Sequence, residues 1–116
     1  MADEMNIDKR IVSAVKNIVD IYFEVAETET APYAVYTISP SPFYNKDGIY
    51  KYVAETTFVI IGGTYEEMSA LYSQCKAALL AMTGVDLLVR LTGEKYEPTG
   101  TEHITVLSLK ITQIIS

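Results

Sequence analysis

The chain has 116 residues, 49% of them hydrophobic and 21% charged, which fits one compact domain over residues 1–116, globular rather than disordered. A net charge of −6 argues against a protein that grips phosphate backbones through clustered cations, though not against a wall that DNA slides past. The single cysteine, Cys75, excludes an intrachain disulfide and a cysteine-based metal cluster; no apolar run is long enough to span a bilayer, and the acidic start MADEMN does not read as a secretory signal, so folding inside the cell is expected.

The first predicted element is a helix from about Asn6 to Asp20. Ile7, Ile11, Val15, Ile18 and Tyr22 recur at helical spacing and give it one apolar face, with Asn6 in the N-cap position and Asp8 suited to the first turn. IYFEV at Ile21–Val25 is short and able to turn extended, and AETETAP breaks the periodicity before Pro32 leads into a strand. YAVYTIS (Tyr33–Ser39) and YKYVAETTFVII (Tyr50–Ile61) are rich in β-branched and aromatic residues and predict a strand pair. Between them SPSPFYNKDG (Ser39–Gly48) reads as an extended tip of about ten residues, beyond the ~2–5 of most hairpins. Pro40 and Pro42 cannot donate to a ladder, so pairing is expected to end there, with Asn45 and Asp47-Gly48 supplying the turn chemistry.

Gly62-Gly63 end the second strand. Thr64 and Glu67 then have capping-box spacing, each able to satisfy an orphan amide at a helix start. Tyr65, Met68, Leu71, Tyr72, Cys75, Leu79 and Met82 form the apolar stripe of this second helix, and Gly84 stops it. VDLLVRLTG (Val85–Gly93) and EHITVLSLKITQII (Glu102–Ile115) predict the last strands, joined by EKYEPTG. In the final strand Leu107, Leu109 and Ile111 alternate with Ser108, Lys110 and Thr112, giving one buried and one wet face. The order α-β-β-α-β-β predicts a two-layer α+β fold: a four-stranded, mostly antiparallel sheet with both helices on one face.

The second strand does not alternate cleanly. Tyr50, Tyr52, Ala54, Thr56, Phe58 and Ile60 share one side, and Val53, Glu55, Thr57, Val59 and Ile61 the other, so both are partly apolar. Two helices cover one face of such a sheet. A neighbouring subunit is the economical cover for the other, unless the first helix or the long loop folds over it.

Catalytic constellations are missing. His103 is the only histidine and has no nameable partner for a triad or a metal site. Cys75 lies on an apolar helical stripe, where a buried, inert thiol is expected. Glu24, Glu27 and Glu29 read as a solvated charge run. Gly62-Gly63 lack the further glycines and the lysine of a phosphate loop, and Glu66 and Glu67 would oppose an anion at the helix start. No enzyme, cofactor or metal is expected.

An N-terminal helix, APYAVYTIS, the loop SPSPFYNKDG, the long strand closing into FVIIGGTYEEMSAL, and a final hairpin together resemble the tail-completion, or tail-terminator, proteins of tailed bacteriophages. The resemblance covers nearly the whole chain and lies in order and texture; the polar face of the second strand is less evident than is usual there. It implies a structural virion protein of the tail or neck, assembled in the host cytoplasm. Such a protein forms a ring with itself, commonly a hexamer, which caps the tail tube and docks it to the head-tail connector while DNA passes through the centre. No cofactor, catalysis or membrane contact is implied. On this reading Phe43 and Tyr44 in the loop, with Tyr50 and Tyr52 beyond it, are the candidate interface residues, because aromatics concentrate binding energy at interfaces. The alternatives are another connector or neck subunit, and a small cytoplasmic α+β dimer that binds a ligand or peptide between sheet and helices.

Overall fold

In the computed structural model, which describes residues 6–25, 30–100 and 102–115, strand pairing begins earlier than helical periodicity suggests. Helix α1 spans only Ile7–Val15. Ile7, Ile11 and Val15 are fully buried on its inner face, as their spacing predicts. The helical pattern does not continue to Asp20, because the backbone there is taken by a neighbouring strand. The carbonyl of Asp20 accepts the Ala34 amide at 2.8 Å, and the Glu24 amide donates to the Tyr36 carbonyl at 2.9 Å. Ile21–Phe23 thereby becomes a short strand, β1. Asn6 occupies the N-cap position but makes no side-chain cap bond; its backbone N–H donates to Gln113 Oε1 at 3.2 Å.

The remaining elements are β2 (Tyr33–Asn45), β3 (Gly48–Gly62), α2 (Tyr65–Leu80), β4 (Leu87–Thr99) and β5 (Glu102–Ile114). The five strands form one mixed sheet in the order β1-β2-β3-β5-β4. β1 runs parallel to β2 and the other pairs are antiparallel. The fold is thus α+β with two helices, but its sheet has five strands where four were expected. The fifth comes from IYFEV, too short to declare a strand without its partner.

The expected ten-residue loop is also corrected. β2 and β3 stay paired through Pro40↔Ala54 and Pro42↔Tyr52 to Asn45↔Gly48, leaving only Lys46 and Asp47 in the turn. Asn45 Oδ1 accepts the Asp47 amide at 2.8 Å, and Gly48 takes a φ of 117° that a side chain would resist. Hydrogen-bond direction explains why the prolines are tolerated. The Ala34 amide and the Tyr36 carbonyl both point to β1, so even-numbered residues of β2 face away from β3. Pro40 and Pro42 therefore lack an N–H only where the strand is an edge. Pro98 follows the same rule on the opposite edge. Val89 and Leu87 of β4 bond outward, to Thr83 Oγ1 and the Gly84 amide, and the bulge at Leu91/Gly93 shifts that role to even-numbered residues.

The core lies between the helices and one sheet face. Ala34 and Tyr36, Ala54, Phe58 and Ile60, Leu107, Leu109 and Ile111, and Leu87 and Val89 pack against α1 and against Met68, Cys75 and Leu79 of α2. Thr64 Oγ1 accepts the Glu67 amide at 3.1 Å, and Glu67 Oε1 accepts the Gly63 amide at 2.8 Å, completing the expected capping box. Burial pushes the Tyr36 hydroxyl above its usual range, with the charge of Asp8 adding to the effect.

Candidate assembly surfaces

Three surfaces stand out, and the sheet itself provides the first. Cross-strand register assigns Tyr22, Val35, Val59, Ile61, Ile104 and Val106 to the face opposite the helices. These six side chains come from four adjacent strands and make one apolar patch. All are half-buried except Ile61, which is buried. A polar belt crosses the middle of the same face, where Glu55 lies opposite Lys110 and Lys110 opposite Arg90. Beyond it apolar groups return, with Leu88 and Ile114 about half exposed. Among the described residues no helix lies over this face.

A protruding arm is the second surface. Residues 39–48 are all exposed, and the molecule measures 52 × 24 × 23 Å as a result of this elongation. Phe43 and Tyr44 sit near the tip, at 40% and 67% exposure. Tyr50 occupies an extra position in β3, opposite the register shift between Phe43 and Tyr44, and is also exposed. Tyr52 is half-buried and faces the helix side, where β3 enters the core. The four candidate residues thus lie on one arm but do not form one cluster. Phe43 is held by Lys51, whose Nζ stands 4.8 Å from the ring centroid, with Tyr50 at 5.8 Å on the same ammonium.

At the far end of β3 from the arm lies the third, a groove between α2 and the β4–β5 hairpin. Its walls include Tyr65, Tyr72 and Tyr96 and its floor Met68, around a cavity of about 270 Å³. Sequence reasoning left His103 without a partner, yet Tyr96 Oη lies 2.6 Å from His103 Nδ1. Their rings stack at 6.1 Å, and the Tyr65 ring meets both edge-on. The two residues lie on diagonal positions of a hairpin whose turn contains Gly100, so Gly100 was the available signal. Below them Glu94 Oε1 accepts the Tyr72 hydroxyl and pairs with Lys76 Nζ at 2.7 Å.

Cys75 is buried, and burial pushes its thiol up to about 11, away from a reactive thiolate. Among the described residues no group of three or more His, Cys, Asp or Glu side chains could hold a metal. Glu27 and Glu29 lie outside the described residues.

The fold defines a class: a two-layer α+β sheet with helices on one face, none of the described helices on the other, and a projecting hairpin. Neither a protein-family model nor a curated protein matches the sequence. Solved structures do match. One is a chain described as the virion of a native gene transfer agent particle, with 15% identity, a TM-score of 0.55, and coverage of 93% of this chain and 91% of that one. Another, whose description names no function, has 13% identity, a TM-score of 0.57, and coverage of 97% and 99%. At these identities the likeness is one of fold, and it extends over almost the full length of both partners.

Proposed function

We propose that this chain is a structural virion protein of the tail-terminator kind. Copies assemble into a ring, most simply of six, that caps the tail tube and joins it to the head-tail connector. DNA passes through the centre, and the protein neither catalyses a reaction nor needs a cofactor. The observation that carries the reading is the partly exposed sheet face bearing Val35, Val59, Ile61, Ile104 and Val106, over which none of the described helices lies. Contiguous apolar surface of this sort is stabilised by a second copy. The projecting aromatic arm gives such a contact an anchor. The end-to-end likeness to a gene transfer agent virion chain adds support, as does the order of elements.

Charge fits a conduit. The net charge is −6, and three of the cations, Arg10, Lys76 and Lys95, are already paired with Asp86, Glu94 and Glu97. Weak, non-specific contact with duplex DNA is therefore expected.

Native mass measurement of the purified protein, alone and with assembled tail tubes, tests the proposal. A closed oligomer in solution, or added density at one tube end by electron microscopy, is the expected result. A monomer that leaves the tubes unchanged would sink it. A stable dimer would favour the ligand-binding alternative, for which the groove at Tyr65, Tyr72 and Tyr96 supplies a location.

A further inference from the structure

The arm and the groove are the two most aromatic parts of the surface, and they lie at opposite ends of β3. The arm leaves the sheet at Lys51, opposite Ile114; the groove lies beside Gly62, opposite His103. Eleven residue steps separate them, roughly 36 Å at ~3.3 Å per residue of strand. No arm can therefore enter the groove of its own chain. A groove of about 270 Å³ is also small for a ligand site, since these usually run from about 300 to 1,000 Å³. It suits one or two inserted side chains.

The two surfaces are matched in chemistry. Tyr65 and Tyr96 are 55% and 43% exposed and flank a Met68 floor, an aromatic-walled groove of the type that takes proline-aromatic segments. The arm offers Pro40, Pro42, Phe43 and Tyr44 in sequence. Its tip carries Lys46, which is exposed, and Glu66, next to Tyr65 at the start of α2, is exposed as well. Strand addition along the arm is disfavoured, because Pro40 and Pro42 remove two of the outward donors of β2.

We propose that the groove formed by Tyr65, Met68, Tyr72 and Tyr96 receives the Pro42–Tyr44 tip of the arm from the neighbouring copy of this chain. The contact is head-to-tail: each copy offers an arm at one end and a groove at the other. Repetition of such a heterologous contact closes a ring when the rotation fits. The inference rests on the self-assembly proposed above and names the surfaces that carry it.

Paired cysteines test it. In a variant carrying Asp47→Cys, in the turn beside the inserted segment, and Ser69→Cys, mild oxidation of the native assembly should give a covalent ladder of dimers, trimers and larger species. An intrachain bond is ruled out, since a disulfide needs Cα atoms within about 7 Å. Asp47→Cys alone should give no species above a dimer. A closed oligomer with no ladder would overturn the arm-in-groove contact and leave the ring intact. A protein monomeric at every concentration, on and off the tail tube, and giving no ladder, would overturn both. Charge reversal gives a second measure at exposed positions that do not threaten folding. Lys46→Glu and Glu66→Lys should each lower the oligomer fraction, and the two together should restore it; an oligomer fraction unmoved by either would count against the contact.

Discussion

A Cβ placed on Gly62 would stand 2.8 Å from the Cβ of Met68 and 2.8 Å from its backbone nitrogen. The end of β3 and the first turn of α2 are therefore packed without room for one methyl group. This close approach sets the angle at which α2 leaves the sheet. Gly62→Ala should destabilise the protein by about 1–3 kcal/mol through overpacking, since the obstructing atoms are the backbone of Met68 and its Cβ, which no rotamer change moves away. Gly63→Ala is the control: its Cβ would meet only Glu67 Oε1, at 3.5 Å, and should change stability by less than about 0.5 kcal/mol. Urea unfolding of the two variants checks both; equal midpoints would remove the packing argument.

Cys75 should resist modification. Its thiol is buried, and burial raises its pKa to about 11 from 9.0. Native-state labelling should be slow at neutral pH and should accelerate in denaturant. The sign of the linkage follows: the unfolded chain ionises first, so this group's contribution to stability is full below pH 9.0 and is lost as pH rises towards about 11. Cys75→Ala should lower stability by about 1 kcal/mol through lost packing and abolish this component of the alkaline decline. Rapid labelling of the native protein would contradict the burial.

Replacing the edge prolines should change behaviour at high concentration more than folding. Pro40→Val with Pro42→Val restores two outward N–H groups on an exposed strand, which is the template for edge-to-edge pairing. The variant should keep its far-UV circular dichroism and form more sheet-rich aggregate with time. Solubility equal to that of the parent would show that the edge is protected by something other than the missing donors.

Phe43→Ala with Tyr44→Ala should leave the subunit folded and impair assembly. The rings lie on an exposed arm, and Phe43 is held chiefly by Lys51, so few core contacts are lost. Each buried anchor removed from an interface typically costs on the order of 2 kcal/mol, and a ring repeats the contact around its circumference. Thermal unfolding of the subunit and oligomer yield should be measured on one preparation. A fall in Tm of the subunit itself would place these aromatics in its own fold.

Elements governed by local chemistry were readable in the sequence. Thr64 and Glu67 announced the start of α2, and the spacing of Ile7, Ile11 and Val15 gave the inner face of α1. What depended on a distant partner was not. β1 exists because Ala34 and Tyr36 present outward groups to it, and the arm stays paired because its prolines point outward; a linear sequence does not state which edge a strand presents. For the same reason the arm aromatics were found as composition, while the groove of Tyr65, Tyr72 and Tyr96, assembled from a helix and a hairpin, was not.

Helical cover of the sheet stops near Ala54, yet the β2–β3 ladder continues to Asn45 and Gly48. Resistance to amide exchange should therefore fall steeply along one continuous hairpin. Protons near Phe58 exchange only through global opening, whereas those near Tyr44 exchange through local fraying. The result is a limb anchored in a rigid base and compliant at its end. In the proposed ring, copies joined through it would be able to meet at slightly different angles, the bending being absorbed where no core contact has to be broken.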